Sequence, residues 1–179
     1  MQPDPIFVIA AALAVAVILA SAATHKLRAP ARFANQLEAY QLLPQALVSP
    51  IARLLPLLEA GLAFALLVPA ARHFAALGAA ALLASYALAI GINLWRGRRD
   101  IDCGCAGPQQ EQPIRPLLLA RNTVLVSLAL VASLAPLSRN LGLFDAFVVI
   151  AASAVALLIY AAADGLMANS PRLLKLIGR

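Results

Sequence analysis

The chain has 179 residues, of which 63% are hydrophobic and only 12% are charged. With a mean hydropathy of +0.86, this composition excludes an ordinary soluble domain and indicates a protein of the lipid bilayer. The formal net charge of +6 would suit nucleic acid, but the basic residues are distributed as they are at a membrane surface. We therefore expect the lipid bilayer, and no nucleic acid, as a partner.

Five apolar segments follow one another along the chain, and each is close to the roughly 20 residues that a membrane span needs. They are residues 6–23, 51–68, 74–95, 117–135 and 143–163. The sequence predicts an all-α polytopic membrane bundle of about five transmembrane helices, a four-helix core plus one, in a single domain of residues 1–179. The opening MQPDP contains an acid and no Lys or Arg, which favours a retained first helix over a cleaved secretory signal.

The connection between the first two spans is amphipathic. Its apolar residues recur at the spacing of one helix face: Phe33, Leu37, Tyr40 and Leu43. We expect an interfacial segment that lies flat over the mouth of the bundle.

Polar residues inside the predicted spans are costly in a bilayer and therefore suggest a function. Glu59 lies eight residues into the second span, about 12 Å deep at the rise of an α-helix. It either fixes helix packing through a hydrogen bond or acts as a proton-relay or substrate-site acid. Threading the spans in order brings other polar residues to the same end: His25, Asn93, Arg121, Asn122, Tyr160 and Asp164. Arg121 either extends to the headgroups or turns inward to pair with Glu59.

A polar hairpin of residues 96–116 carries the chain's two cysteines, Cys103 and Cys105, on either side of Gly104. Cysteines at i and i+2 lie near the outer limit of the Cα separation that a disulfide accepts, and Gly104 supplies the backbone freedom to close the ring. A disulfide in so small a loop adds little to folding stability, and a strained, exposed one is labile. The pattern therefore favours reversible thiol–disulfide chemistry.

Two alternatives to thiol chemistry stay open. The cysteine pair could bind a soft metal such as Cu(I), or the thiols could be inert in a scaffold that only docks a partner. A closed zinc site needs four ligands, and the sequence has no further cysteine.

Basic residues are strongly biased toward one face of the threaded bundle. Twelve of the fourteen fall on the hairpin face, and only Arg72 and Arg139 fall on the other. By the positive-inside rule, the hairpin face is cytoplasmic and the N-terminus lies outside.

The run INLWRGRRDIDCGCAG (residues 92–107), followed by LLARN (118–122), resembles the MauE group of the MauE/DoxX redox-associated membrane proteins. Residues 25–44 (HKLRAPARFANQLEAYQLLP) and 55–67 (LPLLEAGLAFALL) match the same pattern. Ala106 departs from it, because an aromatic residue is expected there.

The resemblance implies a multi-pass protein of the bacterial inner (cytoplasmic) membrane, of the methylamine utilisation type. Such a protein works with a thioredoxin-like partner of the MauD type in the maturation of a disulfide-containing client such as methylamine dehydrogenase. That role favours an extracytoplasmic hairpin, against the charge rule. No cofactor is fixed by the sequence, and a quinone is the candidate electron carrier by analogy with quinone-linked four-helix redox bundles.

Taken together, the residues suggest a thiol–disulfide oxidoreductase or electron conduit. Its catalytic pair is Cys103 and Cys105. The expected supporting residues are Gly104, Glu59, Arg121, Asn122, Asn93 and His25.

Overall fold

The computed structural model describes residues 2–103 and 113–176, with side chains as far as residue 169. The named elements in these ranges are all helices: α1 (Pro5–Arg28), α2 (Pro30–Ala39), α3 (Gln45–Leu66), α4 (Arg72–Trp95), α5 (Pro116–Ala132) and α6 (Leu143–Leu176). The predicted all-helical membrane fold is confirmed. Gly104 and Cys105, in the predicted hairpin, lie outside the described residues.

The helices match the predicted spans in order but not in length. By length and composition, α1, α3, α4 and residues Leu143–Asn169 of α6 can cross a membrane. The fifth, α5, is apolar but has only 17 residues, which makes it about 26 Å long. Both α1 and α3 extend beyond the predicted spans at the hairpin end. The prediction stopped short there because polar residues lower the hydropathy, although the helices continue through them.

Four helices form the core of the bundle, as predicted. Successive neighbours around the ring are α1, α3, α4 and α5, and α5 closes the ring against α1. The centre is rich in alanine, including Ala12, Ala63, Ala76 and Ala129. Such small side chains let membrane helices approach closely. Helix α6 lies outside the ring against α1, and most of its large apolar side chains are exposed.

The N-terminus and the turn before α6 lie together at the end of the bundle opposite the hairpin. Leu137 donates its backbone N–H to the carbonyl of Pro3 at 2.9 Å. Arg139 donates to the carboxylates of Asp4 (3.0 Å) and Asp145 (2.9 Å). The Arg139 side-chain hydrogen bonds hold the pKa of Asp4 below its ordinary value. These contacts confirm the threading that puts α1 and α6 in the same direction.

Helix α4 ends in a glycine cap that directs the chain into the hairpin. Gly97 has φ +74° and donates its N–H to the carbonyl of Leu94, while Arg98 donates to the carbonyl of Asn93, both at 3.0 Å. This pair of bonds is the Schellman motif, in which glycine adopts the left-handed conformation at little cost.

We expect Gly97→Ala to lower the free energy of unfolding by about 1 kcal/mol, because a left-handed backbone costs an L-residue roughly 1–2 kcal/mol. The measurement is denaturant unfolding in detergent micelles, followed by far-ultraviolet circular dichroism. Gly61→Ala is the matched control, since its new Cβ meets nothing within 4 Å in the interior of α3 and alanine favours a helix. Equal effects of the two substitutions would contradict the capping role.

Candidate functional site

Helix α2 roofs the hairpin end of the bundle, as the amphipathic pattern predicts. Phe33 and Tyr40 are buried on its lower face. Leu37 and Leu43 line the same cavity beneath it. All four residues of the predicted apolar stripe therefore face the bundle.

The base of the hairpin is fixed to α2. Residues Asp102 and Pro113 form an antiparallel bridge, and the N–H of Ile114 donates to the carbonyl of Ile101 at 2.9 Å. The Asp102 carboxylate accepts from Arg32 (3.1 Å) and Gln36 (2.6 Å), both on α2. The roof and the hairpin thus form one polar assembly.

Cys103 lies under this assembly, at the point where the hairpin enters the bundle. It is only 7% exposed, and its carbonyl accepts from the Tyr40 hydroxyl at 3.3 Å. Its sulfur lies 3.7 Å from Nη2 of Arg121. A guanidinium at this distance stabilises the thiolate, which is the reactive form of cysteine. The other predicted catalytic residue, Cys105, lies outside the described residues.

Arg121 turns into the protein, but its acidic partner is Asp164 of α6, not Glu59. Its guanidinium also lies 5.9 Å from the centre of the Tyr160 ring. Since Asp164 offsets the charge of Arg121, the sulfur of Cys103 lies beside a neutralised ion pair.

Glu59 forms a second charged centre, with Lys26 at the end of α1. The pair is almost fully enclosed, with Glu59 0% and Lys26 6% exposed. Tyr86 of α4 donates its hydroxyl to Glu59 Oε1 at 2.8 Å. The Lys26 ammonium lies 4.8 Å from the Tyr86 ring and 5.0 Å from the Phe33 ring. Glu59 Oε2 has no hydrogen-bond partner among the described residues.

The remaining predicted residues lie at the same end of the bundle. Asn93 is fully buried, where it donates to the carbonyl of Ala89 on its own helix and accepts from Arg98 at 3.3 Å. Asn122 is buried, and its Nδ2 has no hydrogen-bond partner within the described ranges. His25 is partly exposed. Asn93 therefore supports the start of the hairpin rather than any reacting group.

Sequence reasoning missed Lys26 and Tyr86. Lys26 counted among the surface charges, since it lies at the end of an apolar helix where lysine normally reaches the headgroups. The signal that could have identified it is Glu59 itself, because a carboxylate buried at this depth needs a cation or donors nearby. Tyr86 had no such signal, as tyrosine is common near membrane interfaces.

A cavity of about 290 Å³ connects the two centres beneath α2. Lys26, Tyr86 and Cys103 all contribute to its lining, together with apolar residues of α2, α3 and α4. Within the described ranges there is no group of three or more His, Cys, Asp or Glu residues that could hold a metal ion. The site thus combines a thiol, a buried ion pair and a small enclosed space.

The amino-acid sequence matches one family of known proteins. The sequence profile of the methylamine utilisation protein MauE matches residues 4–135. The chain is 41% identical over 173 residues to the methylamine utilization protein MauE of Methylophilus methylotrophus, covering 96% of this chain and 90% of that protein. It is 37% identical over 162 residues to the protein of the same name from Paracoccus denitrificans, covering 90% and 87%. No solved structure matches the chain.

We expect Lys26→Met or Glu59→Gln alone to destabilise the protein by about 3–5 kcal/mol, because either change leaves the other group buried without its partner. The double variant, Lys26→Met with Glu59→Gln, should lose much less. The measurement is a double-mutant cycle on unfolding in micelles. Glu38→Gln serves as the control, since Glu38 is exposed on α2. Additive losses in the cycle would show that the two side chains do not interact.

Proposed function

The chain belongs to the family of the methylamine utilisation protein MauE, and we propose that it is a membrane thiol–disulfide redox protein that works with a thioredoxin-like partner. In this proposal Cys103 and Cys105 cycle between two thiols and one disulfide. The observation that carries it is the sulfur of Cys103, buried beneath a fixed hairpin base and 3.7 Å from the Arg121 guanidinium.

The two cysteines have different tasks in this scheme. Exchange proceeds through a mixed disulfide, so one sulfur must reach the partner and the other must reach the first sulfur. Cys103 is only 7% exposed, which suits the sulfur that closes the internal bond. We assign Cys105, two residues further along the hairpin, to the partner.

Each exchange conserves electrons and protons. A thiolate of the partner attacks Cys105 of the Cys103–Cys105 disulfide, and the Cys103 thiolate leaves. The partner's second thiolate then attacks the mixed disulfide and releases Cys105. The partner ends with a disulfide, and this chain ends with two thiols. Arg121 favours the step in which Cys103 carries negative charge, because its guanidinium lies against that sulfur.

The family suggests what the disulfides are for. Four related proteins are named for methylamine utilisation. We propose that the partner carries disulfide bonds to a client in that process, such as methylamine dehydrogenase, and that the chain resides in the bacterial inner membrane.

We expect Cys103→Ser to trap the thioredoxin-like partner as a covalent adduct. In this variant Cys105 can still attack the disulfide of the oxidised partner, and the chain then has no second thiol to resolve the mixed disulfide. The measurement is affinity purification of the full chain from its host under non-reducing conditions, followed by electrophoresis and peptide identification. Addition of a reducing agent should release the partner.

The double variant Cys103→Ser with Cys105→Ser is the matched control and should trap nothing. If it still supports client maturation fully, the protein is a scaffold and the redox role is wrong. Stoichiometric copper on the wild-type chain, with no adduct from the single variant, would establish the metal-binding alternative instead.

We expect a reporter enzyme that works only outside the cytoplasm to be active when it is fused after Arg179, because the proposed transfer of disulfides to a secreted client needs the hairpin on that side. Helix α6 runs from the Asp4 end toward the Cys103 end, so the C-terminal fusion reports the side of the hairpin. Basic residues are held in ion pairs at both ends of the bundle, Lys26 at the hairpin end and Arg139 at the opposite end. These ion pairs therefore leave the excess of basic residues on the hairpin face unchanged, and that excess argues for a cytoplasmic hairpin. If the hairpin lies inside, as the positive-inside rule predicts, only a reporter that works in the cytoplasm will be active, and that result would contradict the transfer of disulfides to a secreted client.

A further inference from the structure

The cavity beneath α2 has the composition of a site for a flat, lipid-soluble molecule with hydrogen-bond acceptors. Its volume of about 290 Å³ is at the lower limit of the roughly 300–1,000 Å³ of small-molecule pockets. Apolar side chains such as Phe33, Leu37 and Leu55 form most of its wall. This space suits a single substituted ring, and a long hydrocarbon tail would have to leave toward the bilayer.

One part of this cavity carries a charged group. Lys26, held between two aromatic rings, contributes an ammonium to the lining, and Tyr86 lies beside it. Behind them is Glu59, fully buried, with an Oε2 atom that no described residue satisfies. Glu59 does not line the cavity itself, so its part is to hold the Lys26 ammonium in place.

The same cavity is bordered by Cys103. A ring bound there would lie between the sulfur and the Lys26–Glu59 pair. The thiol could then supply electrons from one side while the ion pair supplies or accepts protons on the other. The wall of the larger cavity between α1, α5 and α6 does not combine these groups.

We propose that this cavity binds the ring of an isoprenoid quinone, with Lys26 donating to a ring carbonyl and Cys103 at the ring's edge. The inference rests on the proposed thiol chemistry, for which it supplies the electron acceptor. Oxidation of the Cys103 and Cys105 thiols to a disulfide releases two electrons and two protons. Reduction of a quinone to a quinol takes up the same two electrons and two protons. Electrons therefore pass from the partner's thiols, through the cysteine pair, into the membrane.

A larger cavity of about 890 Å³ between α1, α5 and α6 provides the comparison site. Arg121 lies at its border, but Cys103 does not line it, and its surface is almost wholly apolar. A molecule bound only there would contact neither the sulfur nor Lys26. We therefore assign the ring to the smaller cavity.

The test uses decylubiquinone and the full-length chain in lipid nanodiscs, with Cys103→Ser and Cys105→Ser present so that binding is measured without redox turnover. Ala89→Phe, which fills the smaller cavity, should weaken binding at least ten-fold, equivalent to about 1.4 kcal/mol. Ala156→Phe, an identical change in the larger cavity, should leave affinity unchanged. The paired variant Lys26→Met with Glu59→Gln removes the proposed donor and should also weaken binding.

The outcomes separate the quinone site from the proposed function. The site is overturned if Ala156→Phe abolishes binding and Ala89→Phe does not. It is also overturned if phosphatidylglycerol displaces decylubiquinone as well as ubiquinone does. Absence of binding overturns it too. If decylubiquinone binds as expected but the reduced wild-type chain forms no quinol, the quinone site stands and the thiol redox function fails. One quinol per reduced chain supports both.

Discussion

The architecture depends on the rule that a charge within an apolar bundle must be paired. Lys26 and Glu59 are almost fully enclosed, and each makes the other's burial tolerable. Because Lys26 is near the end of α1 and Glu59 lies well inside α3, their pairing sets the register of these two helices. The first turns of α3 then extend past the end of α1. Helix α2 packs back against this extension, and the space left beneath it is the cavity that Cys103 borders.

A second pair, Arg121 with Asp164, performs a similar task at the periphery. Helix α6 has a largely exposed apolar surface, so this contact and its packing on α1 determine where it attaches. Cys103 lies between the two charged centres, with Arg121 against its sulfur and Lys26 across the cavity. The thiol is thereby surrounded by charges that balance one another, and the site needs no net charge inside the membrane.

Hydropathy and helical periodicity were enough to predict the helical fold, the four-helix core and the roof over it, since these depend on local patterns that repeat every turn. The apolar stripe from Phe33 to Leu43 is an example.

The partners of the buried polar side chains were harder to predict from the sequence. Glu59 and Arg121 are both buried in ion pairs, yet each has a different partner from the one that sequence order suggested. The partners are separated by 33 positions along the sequence in the first pair and by 43 in the second. Hydrophobic periodicity carries no information about pairs so far apart in sequence. Helix ends were misplaced where polar residues continue a helix, as at His25 to Arg28.

The two ion pairs also impose an order on biosynthesis. Each basic residue leaves the ribosome before its acidic partner, Lys26 ahead of Glu59 and Arg121 ahead of Asp164. The first pair is complete once α3 has been inserted, so the inner helices can settle early. Arg121 must remain near the headgroups until the last helix arrives, as long cationic side chains readily do. The sulfur therefore acquires its guanidinium neighbour in final form only after α6 has been inserted, and chains that end before α6 lack the finished Cys103 site.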